Sequence, residues 1–335
     1  MTDSRGARSA ALASADPALL ADLERGLQAV EDRLQEVVRS SHPMLDLASH
    51  HLVDAGGKRV RPMLALLSAQ LGDPADPRVV DAAVVVELTH LATLYHDDVM
   101  DEADVRRGAP SANTRWTNTI AILTGDYLFA RASDLTASLG TEATHIQSRT
   151  FARLVEGQIA ETAGPPADVD AVAHHLQVIA DKTASLISTS ARLGALLSGA
   201  PAEQVETVAR FGEIYGVAFQ LSDDLIDIAS ETVDSGKTPG TDLREGIRTL
   251  PVLLVLDTDD DAGAPLRTLL TGDLTQDGPL HEALTLLRVH PAMAAARSRL
   301  ETYVDDARSV AAELPEGAAR AALLSLTDFV LARTG

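Results

Sequence analysis

Asp97-Asp98-Val99-Met100-Asp101 and Asp223-Asp224-Leu225-Ile226-Asp227 are two copies of one pattern, 126 positions apart: two aspartates, two apolar residues, a third aspartate. Both copies lie in helix-forming stretches. Positions i and i+4 of a helix share a face, so Asp97 projects beside Asp101 and Asp223 beside Asp227. Like charges at that spacing cost an isolated helix about 0.2–0.5 kcal/mol. A fold that accepts this cost twice recovers it from cations. The chain has no cysteine and no histidine cluster. Its hard oxygen ligands suit Mg²⁺, which is commonly shared between one or two carboxylates, water and a substrate phosphate. Two solvated acidic faces are the plainer alternative in a chain of net charge −21. The same spacing inside apolar helix, found twice, argues against it.

Of 28 basic residues only three are lysine: Lys58, Lys182 and Lys237. A lysine supplies a compact point charge suited to a phosphate oxygen. Lys58 stands in Gly56-Gly57-Lys58-Arg59-Val60-Arg61-Pro62, a glycine-opened turn before a helix. Backbone N–H groups and side-chain cations combine there into an anion site. Lys182 precedes Thr183 within a helical stretch, and Lys237 follows Gly236, 14 residues after Asp223. Arg106-Arg107-Gly108 follows the first acidic motif. Six carboxylates bind an anionic substrate only through metal, whereas cations outside the carboxylate pairs hold an anion directly. The pattern suits two phosphorylated substrates, one bound through metal and one by protein cations.

Long helices must position these residues. Asp16 to Arg39 carries Leu19, Leu20, Leu23, Leu27, Val30, Leu34 and Val37 at a 3–4 spacing. Pro62 fits the first turn of a helix running to about Leu71. Pro77 to Asp101 is long and mostly apolar, hence a buried helix. Further helices are expected over Asn113–Leu139, Thr144–Thr162, Val169–Leu197 and Ala202–Ala229, with another opening at Thr249-Leu250-Pro251. No convincing period-2 strand appears. Asp257 to Pro279, rich in Asp, Gly and Thr, reads as a surface loop. Helices this long with buried central members imply an all-α fold, a large single-domain helical bundle. Residues 17–335 form that domain, and the Ala-, Ser- and charge-rich residues 1–16 read as a disordered lead with no signal-peptide h-region.

Composition narrows the function. Aromatics make up 3% of the chain against 45% hydrophobic residues, so the core is built from Ala, Leu and Val. The net charge of −21 argues against a nucleic-acid partner. Without cysteine there is neither a disulfide framework nor a thiolate nucleophile. The longest uninterrupted apolar runs, such as Ala82 to Val86, fall far short of the ~18 residues of a bilayer span. No stable membrane insertion is expected, and the expected location is the cytoplasm.

The segments GGKRVRP, HDDVMDEADVRRG, GDYLFARAS, the Lys182-Thr183 pair, FQLSDDLID and SGKTPGTDLREG, between about Asp54 and Leu256, resemble the trans-polyprenyl diphosphate synthases. These are the head-to-tail isoprenyl chain-elongating enzymes. The resemblance implies an all-α fold with a deep central cavity, about three Mg²⁺ ions per active site and a homodimer. It implies that Asp97, Asp98 and Asp101 ligate Mg²⁺ bridging an allylic diphosphate, and that Asp223 and Asp227 hold a further Mg²⁺, with Asp224 in the same catalytic motif. Arg106, Lys182 and Lys237 would contact the allylic diphosphate (dimethylallyl, geranyl or farnesyl), with Thr183 and Gln220 lining the same region. Lys58, Arg61, His90 and Arg107 would bind isopentenyl diphosphate. One departure is visible: relatives commonly carry a lysine where this chain has Ile247. Either Arg248 substitutes or one diphosphate contact is absent.

Charge dictates the chemistry so implied. Ionising an allylic diphosphate leaves a carbocation and pyrophosphate, whose developing negative charge Mg²⁺, Lys and Arg stabilise. The alkene of isopentenyl diphosphate attacks and a proton is lost. No side chain stands out as general base, and the family chemistry implies that the departing pyrophosphate takes the proton. His90 is given an anchoring role, and His96 that of a satisfied helix histidine. A class I terpene cyclase is a rival. Its second metal motif usually mixes Asn, Ser or Thr with Glu, whereas both motifs here are DDxxD, and its cavity uses aromatic rings to stabilise cations, for which ten aromatics in 335 residues are a poor supply. A non-catalytic partner subunit is the other rival, but such subunits lack the metal motifs. In the family the residues four and five before the first aspartate, here Thr93 and Ala92, floor the chain-length cavity, with Thr89 and Val86 deeper on the same helix face. None is a bulky plug. A long all-trans product is expected, of about C30 or more by that resemblance, which would leave to the membrane. A short-chain geranylgeranyl or farnesyl product is the alternative.

Overall fold

Proline and a short acceptor side chain start many of the helices. A computed structural model describes residues 16–230, 239–259 and 263–334. Helix α1 (Pro17–Val37) begins at Asp16, whose carboxylate accepts from the Ala18 and Leu19 amides at 2.7 and 3.3 Å. Helices α2 (Pro43–Asp54) and α3 (Val60–Ser68, continued by a 3₁₀ turn Ala69–Leu71) lead to α4 (Pro77–Met100), again with Pro at its first turn behind a capping Asp76. Such a cap stabilises a helix by about 1 kcal/mol. A two-stranded ribbon, β1 (Val105–Arg106) with β2 (Ala109–Pro110), precedes the short α5 (Ala112–Arg115). Then come α6 (Asn118–Leu139), α7 (Thr141–Ala163), α8 (Ala171–Ile179), a π-helical turn Ala180–Ala184, α9 (Ser185–Leu197) and α10 (Ala202–Ala229). The chain closes with α11 (Thr241–Arg244), α12 (Leu250–Leu256), α13 (Ala264–Leu270), α14 (Asp277–Val289), α15 (Pro291–Ala311) and α16 (Ala318–Ala332).

The all-α expectation holds, with local differences that have physical causes. Helix α2 is additional. Its apolar residues Leu52 and Val53 are buried, but Ser and His dilute the pattern in sequence. The helix expected from Asn113 opens at Asn118, because Trp116 breaks α5 and the Thr117 hydroxyl caps the new start. Within the stretch read as a loop, Leu266 and Leu270 share one buried face of α13, a signal masked by Asp- and Gly-rich neighbours. The expected helix over Val169–Leu197 is interrupted at its middle by the π turn.

The chain divides into two compact units. The first comprises residues up to Leu154, Ser185–Glu213 and Val310–Leu326. Its centre is α4, buried on nearly all sides and packed along α6, with α1, α3 and α9 also against it. By length and composition α4 is also the one described helix apolar enough to cross a membrane, yet 67% of that stretch is buried in the chain's own core. The second unit comprises Val155–Ala184, Ile214–Ser309 and the residues from Thr327. Its core joins Ile228, Leu243, Val252, Val255, Leu270, Leu284 and Leu287. The expected lead, residues 1–16, lies outside the described residues except for Asp16.

Candidate active site

In the first unit the acidic motif ends α4. Asp98 is fully buried, Asp97 is partly buried and Asp101 caps the helix in the open. Asp98 Oδ1 accepts from Arg106 Nε at 2.6 Å, while Oδ2 is buried without a hydrogen-bond partner. Burial raises the Asp98 carboxyl above its ordinary value, and the neighbouring Asp101 charge adds to this, against the opposing pull of Arg106. Arg106 reaches Asp98 because the chain reverses in the ribbon. Arg107 and Gly108, between the paired Arg106 and Ala109, both have positive φ, 54° and 76°. That is the conformation of a two-residue hairpin turn matched to strand twist.

The same turn throws Arg107 back onto α2. Its Nη1 donates to the carbonyls of Leu52, at 3.2 Å, and of Gly56, and its Nη2 lies 3.5 Å from Glu87. A Cβ on Gly57, at φ +149°, would stand 2.9 Å from the Arg107 guanidinium carbon. Gly57 thus makes room for an arginine, while Gly56, at φ +78°, opens the turn. Glu87 is the hub of this cluster, and no sequence motif marks it. Its carboxylate is 2% exposed and lies 2.6 Å from Arg59 Nη1. Burial alone would raise its pKa, but Arg59, Arg107 and Arg61 together hold the carboxyl below its ordinary value. The available signal was a lone glutamate in the apolar run Val84-Val85-Val86-Glu87-Leu88, three residues before His90 on the same helix face. Arg59, by contrast, is a latch. At φ +51° it turns inward, binding Glu31 of α1 and the Val53 carbonyl of α2 as well.

Arg61 and His90 complete the positive cluster. Burial, with Arg107 adding to it and Glu87 opposing it, lowers Arg61 to about 10, which leaves it charged at neutral pH. Its Nε is buried without a hydrogen-bond partner. His90 is held well below its ordinary value by burial and by the charges of Arg61, Arg107, Arg59 and Arg106. It is therefore neutral near pH 7. Lys58 is exposed. Of the four residues predicted to bind one anion, Arg61, His90 and Arg107 lie within one electrostatic neighbourhood. His96 meets its expectation as a satisfied histidine, with Nε2 3.1 Å from the Ile122 carbonyl and 3.4 Å from Asp126. Deeper on α4, Val86, Thr89 and Ala92 are fully buried, and Thr89 accepts a hydrogen bond from Gln147 at 2.6 Å. Thr93 is partly buried.

In the second unit the acidic motif lies on α10. Asp223 Oδ1 accepts from Arg333 Nη2, and the Arg333 guanidinium stacks 5.0 Å from the Phe219 ring centre. Asp224 is 3% exposed and accepts from Gln220 at 2.9 Å. The Asp227 oxygens accept from the Thr241 and Asp242 amides, both at 3.2 Å, which ties the motif to the start of α11. Lys182 and Thr183 sit in the π turn, a feature that recurs at functional sites. A Cβ on Gly157 would lie 2.8 Å from the Lys182 amide nitrogen, so glycine lets α7 approach this turn. Lys182 Nζ donates to Glu161 at 2.5 Å and Thr183 Oγ1 to Gln220 at 3.2 Å. Lys237 lies outside the described residues. Ile247 and the exposed Arg248 line a cleft with Arg244, Leu270 and Thr275.

Among the described residues no three His, Asp or Glu side chains gather closely enough to hold a metal by themselves. The aspartates of the two motifs are hard oxygen donors of the kind Mg²⁺ takes. The orphaned, buried Oδ2 of Asp98 is a carboxylate oxygen suited to such an ion.

A family model described as polyprenyl synthetase matches residues 42–287. The chain is 49% identical to the nonaprenyl diphosphate synthase of Mycobacterium tuberculosis, over 96% of each protein. It is 41% identical to that organism's dimethylallyltranstransferase, over 96% of this chain and 98% of that protein. Among solved structures, geranylgeranyl pyrophosphate synthase from Corynebacterium glutamicum, complexed with calcium and isoprenyl diphosphate, is 45% identical with a TM-score of 0.86, covering 96% of this chain and 98% of that one. A decaprenyl diphosphate synthase from Rhodobacter capsulatus is 36% identical with a TM-score of 0.85, covering 95% and 98%.

Proposed function

The chain belongs to the polyprenyl synthetase family, a family of prenyltransferases, and from that premise we propose that it condenses isopentenyl diphosphate with an allylic diphosphate into a long all-trans polyprenyl diphosphate. The observation that carries this is the charge division of the first unit. One helix, α4, bears a carboxylate face at Asp97 and Asp101, and seven residues before Asp97 it bears His90 within a cluster of arginines around Glu87. A reaction between two diphosphates needs both kinds of site. The kinship to the nonaprenyl and decaprenyl synthases supports the long product over the short-chain alternative. The absence of any ring at Ala92 or Thr93 supports it too.

In this reading Arg61, Arg107 and Lys58 bind the diphosphate of isopentenyl diphosphate. The orphaned Arg61 Nε is a donor in want of an acceptor. His90, neutral and poorly basic among guanidiniums, anchors by hydrogen bond and takes no proton. Lys182, Lys237 and Arg106 neutralise the allylic diphosphate, and Thr183 and Gln220 orient it. Asp97, Asp98, Asp101, Asp223 and Asp227 are the residues that would hold Mg²⁺, about three ions as in the family. Bound Mg²⁺ supplies Lewis-acid stabilisation of the leaving pyrophosphate. As the allylic C–O bond breaks, the isopentenyl alkene forms the new C–C bond and loses a proton to the pyrophosphate.

We propose further that residues 17–335 act as one catalytic domain, that it works as a homodimer and that it acts in the cytoplasm, the long product passing on to the membrane. Met44, Leu47, Ile122 and Leu123 are exposed apolar residues of the first unit that a partner could cover. Light scattering of the purified chain tests the dimer. The activity is tested by incubation with Mg²⁺, isopentenyl diphosphate and farnesyl diphosphate, followed by chromatography of the dephosphorylated products. A ladder of linear prenols is expected. Cyclised hydrocarbon would mark a terpene cyclase, and no turnover a non-catalytic subunit.

A further inference from the structure

His175 on α8 has no part in the chemistry above, yet it faces the second acidic motif. Its Nε2 lies 3.4 Å from Asp224 Oδ2. Both atoms are buried, and neither has a hydrogen-bond partner. Buried polar atoms are rarely left unpaired, and a closing of a few tenths of an ångström would make this contact a hydrogen bond. The other Asp224 oxygen accepts from Gln220 Nε2 at 2.9 Å, and Gln220 Oε1 accepts from Thr183 Oγ1 at 3.2 Å. His175, Asp224, Gln220 and Thr183 thus form one chain of polar contacts. It ends in the π turn that carries Lys182.

We propose that His175 is a positioning residue of the allylic site. Its Nε2–H donates to Asp224 Oδ2 and fixes the plane of that carboxylate. Asp224 then sets the Gln220 amide, with nitrogen toward the carboxylate and oxygen toward Thr183, and Gln220 holds the π turn in the register that presents Lys182 and Thr183. Packing alone does not account for the arrangement. An apolar side chain would fill the same volume and leave Asp224 Oδ2 unpaired. The inference rests on the assignment of the allylic diphosphate to Lys182 and Thr183.

The test compares two polar replacements of similar folding risk. A glutamine amide reaches where Nε2 stood, whereas an asparagine amide reaches only to the place of Nδ1. The loss of a hydrogen bond to a charged group predicts that His175→Asn raises the KM for farnesyl diphosphate about tenfold, and weakens calorimetric binding of inorganic pyrophosphate with Mg²⁺ as much. The KM for isopentenyl diphosphate should stay within about twofold, and His175→Gln within about threefold of wild type on every measure. In an Asp224→Asn background, His175→Asn should add less than about twofold, because contacts in one network are not independent. A tenfold loss in His175→Gln overturns the inference however His175→Asn behaves. So do equal shifts in the two KM values, or a full additional loss on top of Asp224→Asn. A wild type that makes no linear prenol refutes the proposed function, whereas an active wild type with an unaffected His175→Asn refutes this inference alone.

Discussion

Glu87→Gln is the most informative single perturbation of the first unit, because one buried carboxylate there faces several guanidiniums. Glu87 is 2% exposed, 2.6 Å from Arg59 and 3.5 Å from Arg107, with the Arg61 charge also acting on it. The amide keeps the shape and one acceptor but removes the charge. Arg59 retains Glu31 at 2.6 Å but loses its second carboxylate, and Arg61 and Arg107 lose the charge that compensates them. Breaking a buried pair costs about 3–5 kcal/mol, which at ~2–4 °C per kcal/mol for a large chain lowers Tm by roughly 6–20 °C. Because Arg59, Arg107 and Arg61 hold the Glu87 carboxyl below its ordinary 4.5, its contribution is complete above that pH. It fades only as pH falls through the lowered value. The Tm gap between wild type and variant should therefore be constant from pH 8 to pH 5 and close in acid. A bound diphosphate supplies the missing negative charge, so saturating isopentenyl diphosphate should raise the Tm of the variant more than that of wild type. Calorimetric scans with and without ligand measure all three effects. A Tm within about 2 °C of wild type at pH 7 would refute the coupling of Glu87 to this cluster, since it corresponds to about 1 kcal/mol or less.

Asp97→Ala and Asp223→Ala should each lower turnover by at least ~10²-fold in Mg²⁺ buffer, the loss expected when part of a Lewis-acid clamp goes. Near-normal turnover in either would remove that motif from the chemistry. Lys58→Ala should raise chiefly the KM for isopentenyl diphosphate and Lys182→Ala chiefly that for the allylic diphosphate, each by about tenfold. Steady-state kinetics with each substrate varied in turn separates the two, and a crossed pattern would reverse the assignment of the sites. Ala92→Phe should shorten the longest product, because a ring cannot share densely packed interior with a growing chain. The product ladder reads this directly, and an unchanged ladder would move the chain-length floor elsewhere.

The parts of the molecule that follow from periodicity and stereotyped chemistry were readable in the sequence. The long helices were legible because Ala, Leu and Val recur at helical spacing. The motif residues were legible because aspartate, glycine and lysine are scarce choices inside apolar helix. What escaped depends on three-dimensional partners. Nothing in the chain announces that Arg59, in the same seven-residue segment as Arg61, turns inward at positive φ to bind Glu31 and Glu87. Glu87 itself shows only as a charge out of place in an apolar run. The π turn that carries Lys182 and Thr183 has no marker in sequence, because it reflects how α7 and its Gly157 meet the turn. The tie from Asp227 to the start of α11 joins residues 14 positions apart through backbone amides, which no pattern of side chains encodes.

The middle aspartates sharpen what the repeated pattern means. Spacing on a helix puts the first and third aspartates of each motif on one face and turns the second about 100° away. In both motifs that rotation carries the second carboxylate into the protein, with Asp98 wholly buried and Asp224 3% exposed. Each then has one oxygen satisfied, by Arg106 and by Gln220 respectively, and one oxygen without a hydrogen bond. Their surroundings differ in sign. Asp98 is held by a guanidinium, so its charge is compensated before any metal arrives, and its free oxygen can be spent on an ion. Asp224 is held by a neutral amide and faces His175 at 3.4 Å, so its free oxygen is directed to an internal donor. The two motifs are therefore alike in spacing but unlike in surroundings. In the proposed function the first motif would offer all three of its aspartates to Mg²⁺. The second would offer its outer pair, because Asp224 is turned toward Gln220 and His175.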